Sequence, residues 1–156
     1  LVLKNKIKLN NSLSRYFTNQ YFLPNIQLKL VDQLKKFANT SIDISDGLLS
    51  DLDKMINAQR LSYKINLKSI PISNNLKKIL NHKKLSKINY ISRGDDYQVL
   101  FTAPKSKRGI IMKTSVKIGV RITRIGLIQK NIHKSSIVDH NDTVIIVKNK
   151  GYLHKF

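Results

Sequence analysis

Residues 40–52 read TSIDISDGLLSDL, and this stretch together with the next residue, Asp53, holds four of the nine acidic residues of the chain. Every acidic residue is an aspartate, in a protein whose formal net charge is +20. The β-prone segment TSIDI precedes a polar SDG and then leucines at helical spacing. The pattern predicts a strand over 40–44, a turn, and a helix from residue 46 or 47 to about residue 58, with Ser45 and Asp46 as its capping residues.

The turn has the residue types that a metal and a phosphate group require. Asp43 ends the strand and Asp46 starts the helix, so both carboxylates can face one mouth, where they repel unless a cation such as Mg²⁺ lies between them. Gly47 allows close backbone approach, and N–H groups at a helix N-terminus attract anions. Ser45 adds a hydroxyl donor. The turn therefore fits a site for a metal ion and a phosphate.

A simpler interpretation remains open for the same acids. Asp and Ser before a helix are common caps. In this interpretation Asp51 and Asp53 lie on the solvated face of the helix, away from any metal. The adjacent pair Asp95 and Asp96 has two interpretations as well: a turn-and-cap role or a polar contact with a ligand.

The rest of the chain predicts a mixture of helices and strands without a repeated strand–helix–strand unit, which indicates the α+β class. The expected fold is a mixed sheet covered by helices. Ser73 is expected to cap the helix predicted at 74–80. Further helices are predicted at 11–22, 29–38, 74–80 and 105–113, and strands at 61–67, 95–104 and 143–148. Residues 115–129 are predicted to form two short strands or one strand bent around Gly119 and Gly126.

Composition narrows the classes of function. The 29 basic residues occur mostly as scattered single or paired lysines, and aromatic residues are not interleaved with arginines as in a base-stacking platform. This favours general surface charge over nucleic-acid binding. No apolar run is long enough for a membrane span, so a soluble protein without a membrane partner is expected. The absence of cysteine permits a reducing cytoplasm. Motifs for P-loops, dinucleotide binding and nucleophilic catalysis are missing.

Several ordered stretches resemble the C-terminal half of the thiamine-monophosphate kinases, in the superfamily of aminoimidazole ribonucleotide synthetase and selenophosphate synthetase. The resemblance runs from about Tyr16 to the end of the chain. Its motifs are YFLPNIQL (21–28), SIDISDGLLSDL (41–52), SRGDDYQVLFTAP (92–104), ITRIGLI (122–128) and GYLHKF (151–156).

The resemblance implies a reaction and roles for individual residues. The reaction is transfer of the ATP γ-phosphate to thiamine monophosphate, which gives thiamine diphosphate. Asp43 and Asp46 would be Mg²⁺ ligands, and Ser45 would contact ATP. Asp95 stands where the family has a substrate-binding glutamate, and Tyr152 matches an aromatic residue that packs on the substrate.

The resemblance also implies a partner. The chain begins with Leu1 rather than methionine, and we expect an N-terminal domain, in cis or in trans, that supplies most of the metal ligands and the interface of a homodimer. Residues 1–22 would be a helical lead-in from that domain, and residues 23–156 the C-terminal kinase domain. The chain alone is expected to be inactive. A basic nucleic-acid-binding module and a decayed, non-catalytic fragment are the alternatives.

Overall fold

The structure, a computed structural model, describes residues 7–56, 59–83, 85–130, 134–147 and 150–151. Helices and strands mix along these residues, and single turns of 3₁₀-helix lie at Leu67–Ser69 and Lys105–Lys107. The helices are α1 (Asn11–Phe22), α2 (Leu28–Leu34), α3 (Leu48–Ile56), α4 (Asn74–His82), α5 (Ile88–Ile91) and α6 (Arg108–Ile118). The strands are β1 (Thr40–Asp43), β2 (Leu61–Asn66), β3 (Val99–Thr102), β4 (Gly126–Lys130) and β5 (Ser136–Val138).

The strands form two small sheets. β1 pairs antiparallel with β3, with Asp43 opposite Val99 at the end that leads into α3. β2 is the centre of the other sheet, antiparallel to β4 and parallel to β5. The combination of helices with mixed parallel and antiparallel pairing confirms the predicted α+β class.

The core forms around one face of α3. Its apolar side chains are buried because leucine, methionine and isoleucine recur at helical spacing: Leu48, Leu49, Leu52, Met55 and Ile56. They pack with buried residues of β2, including Tyr63 and Ile65, and with Leu100 of β3. The helix that follows the aspartate-rich turn is thus held firmly against both sheets.

The N-terminal helices present apolar side chains to solvent. None of the residues of α1 is buried. Six large apolar side chains between residues 21 and 31 are exposed, and Leu23 reaches 78% exposure: Tyr21, Phe22, Leu23, Ile26, Leu28 and Val31. Exposed apolar side chains that cluster in one segment are typical of a contact surface for another protein unit.

Most predicted elements are present, with changed bounds. The helix over 11–22 is confirmed, and Ser73 Oγ accepts the Leu76 N–H at 3.1 Å, as expected for the cap of α4. The helix expected at 29–38 ends at Leu34. The strand expected over 95–104 is limited to β3 because residues 95–98 form a loop.

Of the strand predictions near the C-terminus, the one over 115–129 was confirmed only in part, as β4 from Gly126, and the one over 143–148 was wrong over residues 143–147. Residues 115–118 continue α6, which ends at Gly119 in the left-handed conformation (φ 67°) that glycine adopts at helix C-termini. Residues 143–147 form no strand, only one bridge between Val144 and Val138. Within the described residues, no helix combines the length and the apolarity needed to cross a bilayer.

Candidate functional site

The turn between β1 and α3 is tightly fixed by its glycine. β1 ends at Asp43 and α3 begins at Leu48. Gly47 has φ 120°, a conformation that side chains disfavour, and a Cβ here would lie 2.9 Å from the carbonyl carbon and oxygen of Ser92. Glycine is therefore required both by the backbone angle and by the segment that packs against the turn.

A buried carboxylate organises this turn from inside the helix. Asp51 Oδ2 accepts the backbone N–H groups of Ser45 (3.0 Å), Asp46 (2.9 Å) and Gly47 (3.1 Å). The Asp51 side chain is 0% exposed. The prediction named Ser45 and Asp46 as the capping residues, whereas the carboxylate that accepts the N–H groups of the turn belongs to Asp51.

The expected solvated position of Asp51 was therefore wrong. The reason is geometric: Asp51 follows Leu48 by three residues and precedes Met55 by four, so it shares their inward face. Its Oδ2 occupies the N–H groups of the turn, and the Ser50 N–H donates to the Lys150 carbonyl oxygen at 3.1 Å. Asp53, in contrast, is partly exposed, with 38% of its side-chain surface accessible.

Lys54 places its ammonium between two carboxylates of the site. Its Nζ donates to Asp51 Oδ1 at 2.8 Å and to Asp46 Oδ2. The hydrogen bond to Asp46, followed by that to Asp51, raises the pKa of Lys54. The ammonium thus supplies positive charge at the place where the sequence predicts a metal cation.

The loop before β3 lies directly against the turn. The Asp95 N–H donates to the Ser45 carbonyl oxygen at 2.9 Å, and the Tyr97 N–H donates to the Ile44 carbonyl oxygen at 2.9 Å. A Cβ on Gly94 would lie only 1.8 Å from that Ser45 oxygen. The structure therefore brings the backbones of Ser45 and Asp95 together.

Asp95 and Asp96 form an acidic pair in this loop. Asp95 is exposed and has φ 66°, a conformation that aspartate tolerates better than most residues. Asp96 is exposed by surface area. Desolvation of its carboxyl group, followed by the charge of Asp95, raises the pKa of Asp96 to about 6. The loop therefore carries a carboxyl group that changes charge just below neutral pH.

The described end of the chain also reaches this site. Lys150 Nζ forms an ion pair with Asp53 at 2.8 Å. A Cβ on Gly151 would lie 2.7 Å from the Asp46 carbonyl oxygen. Residues 150–151 therefore pack against the start of α3, whereas Tyr152, the predicted substrate contact, lies outside the described residues.

The carboxylates fit a partial metal site. Asp43 is exposed at the end of β1, and the Asp46 side chain is 14% exposed. Among the described residues, no three His or Asp side chains converge to hold a metal ion. Magnesium often binds through one or two carboxylates, with waters and substrate phosphates filling the other positions. Asp43 and Asp46 suit that incomplete mode.

Comparison with known proteins gives a consistent result. No family model matches the chain. The thiamine-monophosphate kinase of Buchnera aphidicola subsp. Acyrthosiphon pisum is 33% identical over 155 residues, which are 99% of this chain and 47% of the relative. The chain is related to the thiamine-monophosphate kinases. It spans about half the length of the curated relatives it matches, and the matched half is the C-terminal one.

Solved structures share the fold. The thiamine-monophosphate kinase of Stenotrophomonas maltophilia K279a aligns with a TM-score of 0.72 at 24% identity, over 87% of this chain and 42% of its own. AaThiL complexed with AMPPCP and TMP aligns with a TM-score of 0.70 at 22% identity, over 97% and 45% of the two chains. These kinase structures therefore contain the same arrangement of helices and strands.

The sequence did not lead us to predict the structural roles of three residues of the site: Asp51, Lys54 and Gly94. The helical position of Asp51 next to buried leucines was a usable signal. Lys54 follows Asp51 by three residues, the spacing of an ion pair on a helix. Gly94 carried no local signal, because its contact with Ser45 joins segments that are distant in the sequence.

Proposed function

We propose that the chain is the C-terminal portion of a thiamine-monophosphate kinase, which transfers the ATP γ-phosphate to thiamine monophosphate and yields thiamine diphosphate. The observation that carries this proposal is the match of 99% of the chain, at 33% identity, to a kinase of that name. The shared fold of a relative complexed with AMPPCP and TMP supports it.

The proposed roles follow the geometry of the turn. Asp43 and Asp46 hold Mg²⁺, and Ser45 contacts ATP. Asp95 contacts thiamine monophosphate, and the 2.9 Å bond from its N–H to the Ser45 carbonyl oxygen supports a shared location for the two substrates. Phosphoryl transfer depends mainly on positioning and on neutralising phosphate charge, which Mg²⁺ supplies when bound.

Tyr152 is proposed to pack on the substrate. The position of residues 150–151 against the start of α3 supports this role, since Gly151 approaches the Asp46 carbonyl oxygen. Gly151, which precedes Tyr152 in the sequence, therefore lies beside the site. No step of the proposed reaction requires this chain to supply a nucleophile, because the substrate phosphate is itself the acceptor.

The proposal includes a partner domain. Residues 1–22 are a lead-in from an N-terminal domain, in cis or in trans, and residues 23–156 are the kinase domain, homodimeric when complete and cytoplasmic. The exposed apolar side chains between residues 21 and 31 and the two-carboxylate site support this need for a partner. The chain alone is inactive, because two carboxylates hold too little Mg²⁺ to neutralise the charge of the phosphates.

A reconstitution assay tests the proposal. The chain is assayed alone and mixed with the purified remaining half of the Buchnera relative, and thiamine diphosphate and ADP are quantified. We expect no product from either half alone and product from the mixture. Asp43→Asn or Asp46→Asn in the chain should reduce that product at least tenfold, whereas Asp32→Asn, an exposed change on α2, should not.

Two results would count against the proposal. Turnover by the chain alone would refute its dependence on a partner. No turnover in the mixture, under conditions where the two halves of the Buchnera relative reconstitute each other, would favour a decayed, non-catalytic fragment.

One other candidate function, a basic nucleic-acid-binding module, is supported by the net charge of +20. Binding through phosphate contacts weakens steeply and linearly with the logarithm of salt concentration. An affinity for single- or double-stranded DNA that follows this law and is indifferent to Asp46→Asn would support that alternative over the kinase.

A further inference from the structure

Lys54 contacts two carboxylates that differ in burial: the Asp51 side chain is 0% exposed and the Asp46 side chain 14% exposed. Asp51 is fully buried, and its Oδ2 is already occupied by three backbone N–H groups. Its Oδ1 receives the Lys54 ammonium at 2.8 Å. This buried negative charge needs a cationic partner, because an unpaired charge in the interior is costly.

Asp46 stands at the accessible end of the same arrangement. The Lys54 side chain is 48% exposed and the Asp46 side chain 14% exposed. A hydrated cation can therefore approach Asp46 from solvent without opening the core. Loss of the contact between Lys54 and Asp46 would leave the contact between Lys54 and Asp51 intact.

We propose that Lys54 is an internal counter-cation that competes with the divalent metal for Asp46 while remaining bound to Asp51. Lys54 is thus a positioning residue: it holds the Asp46 carboxylate in place when metal is absent and yields it when metal binds. The inference rests on the proposed function, in which Asp46 is a metal ligand.

Electrostatics give the expected direction. A carboxylate paired with an ammonium attracts a metal less strongly, and an ammonium near a dication repels it. Removing the positive charge at residue 54 should therefore tighten metal binding by at least tenfold. The carboxamide of Lys54→Gln can still donate to Asp51 Oδ1, so that this variant keeps a partner for the buried carboxylate.

Mn²⁺ serves as the probe, because free Mn²⁺ is quantified directly by electron paramagnetic resonance. The 156-residue chain and its variants are titrated with Mn²⁺ at low ionic strength, without nucleotide or substrate. We expect at least tenfold tighter binding by Lys54→Gln and by Lys54→Met, and binding like the parent by Lys54→Arg. Lys64→Met is the matched control, since it breaks an exposed ion pair with Asp142 of the same length, 2.8 Å, and should change nothing.

The double variant Lys54→Gln with Asp46→Asn should lose the gain in affinity. Equal Mn²⁺ affinities of the parent and Lys54→Gln, both weakened by Asp46→Asn, would overturn the role of Lys54 and leave Asp46 as a ligand. Absence of Mn²⁺ binding in every variant would overturn the metal role of Asp46 together with this inference. Unfolding curves of each variant in urea identify any variant that fails to fold. If either Lys54→Gln or Lys54→Met fails to fold, the Mn²⁺ affinity of the other one tests the role of Lys54.

Discussion

A methyl group on Gly94 would lie 1.8 Å from the carbonyl oxygen of Ser45. That oxygen also accepts the N–H of Asp95 at 2.9 Å. The two segments that carry the proposed ATP and substrate contacts are therefore packed backbone to backbone. A side chain at residue 94 cannot be accommodated by rotation, because the obstructing atom belongs to the main chain.

Gly94→Ala is expected to lower the free energy of unfolding by about 1–3 kcal/mol, the usual cost of overpacking. The midpoint of urea denaturation measures it. Gly109→Ala is the matched control, since nothing lies within 4 Å of a Cβ at that position and alanine suits a helix better by about 0.5–1 kcal/mol. Equal midpoints for the two variants would contradict the close packing of Gly94 on Ser45.

Asp51→Ala should be severely destabilising, by about 3 kcal/mol or more, because three N–H groups lose their acceptor in a buried setting. Asp51→Asn keeps one acceptor oxygen and should lose less. Asp32→Ala removes an exposed carboxylate on α2 and should stay within about 0.5 kcal/mol of the parent. Urea denaturation at neutral pH compares the three, and a small loss in Asp51→Ala would refute the capping role.

Asp96 makes stability depend on pH. Its pKa is raised from 3.8 to about 6 by partial burial and then by Asp95, so folding favours the protonated form. This contribution is fully present below about pH 4 and is lost as the pH rises through about 6. We therefore compare the free energy of unfolding of Asp96→Asn with that of the parent at two pH values. The difference in favour of Asp96→Asn should be larger above pH 6 than at pH 4. An NMR titration of the Asp96 carboxyl near pH 4 would contradict this assignment.

Lys87 is a structural lysine in a chain rich in surface lysines. Its Nζ donates to the carbonyl oxygens of Leu67, at 2.7 Å, and of Ile70. Lys87→Met should cost about 1–3 kcal/mol, because these carbonyls lose a charged donor. Lys77→Met, on the exposed face of α4, should be nearly neutral. Thermal unfolding of the two variants side by side tests the difference.

Local patterns predicted the elements on which the site is built. The alternation of polar and apolar residues and the helical spacing of apolar residues over 40–56 indicated β1 and α3. Ser73, as a capping residue, predicted the start of α4. These features depend on neighbours in the sequence, so local propensity determines them. The turn between Asp43 and Leu48 could also be predicted, because it depends on the same local residues.

Features that depend on tertiary contacts were not predicted. Residues 115–118 contain β-branched side chains that favour a strand, but they continue α6 up to the left-handed Gly119. The charge of Asp51 favoured an exposed position in the prediction. The residue is nevertheless buried, because the N–H groups that it caps and the Lys54 ammonium offset the cost of burying the charge. The contact between Gly94 and Ser45 could not be inferred from either segment alone.

The most direct test of the central claim is catalysis by a chimera in which this chain replaces the matching half of the Buchnera thiamine-monophosphate kinase. The rate of thiamine diphosphate formation is measured with saturating ATP, Mg²⁺ and thiamine monophosphate. We predict turnover by the chimera and at least a tenfold loss with Asp46→Asn in this chain. A folded chimera without turnover, or one indifferent to Asp46→Asn, would contradict the claim that this chain builds half of the phosphoryl-transfer site.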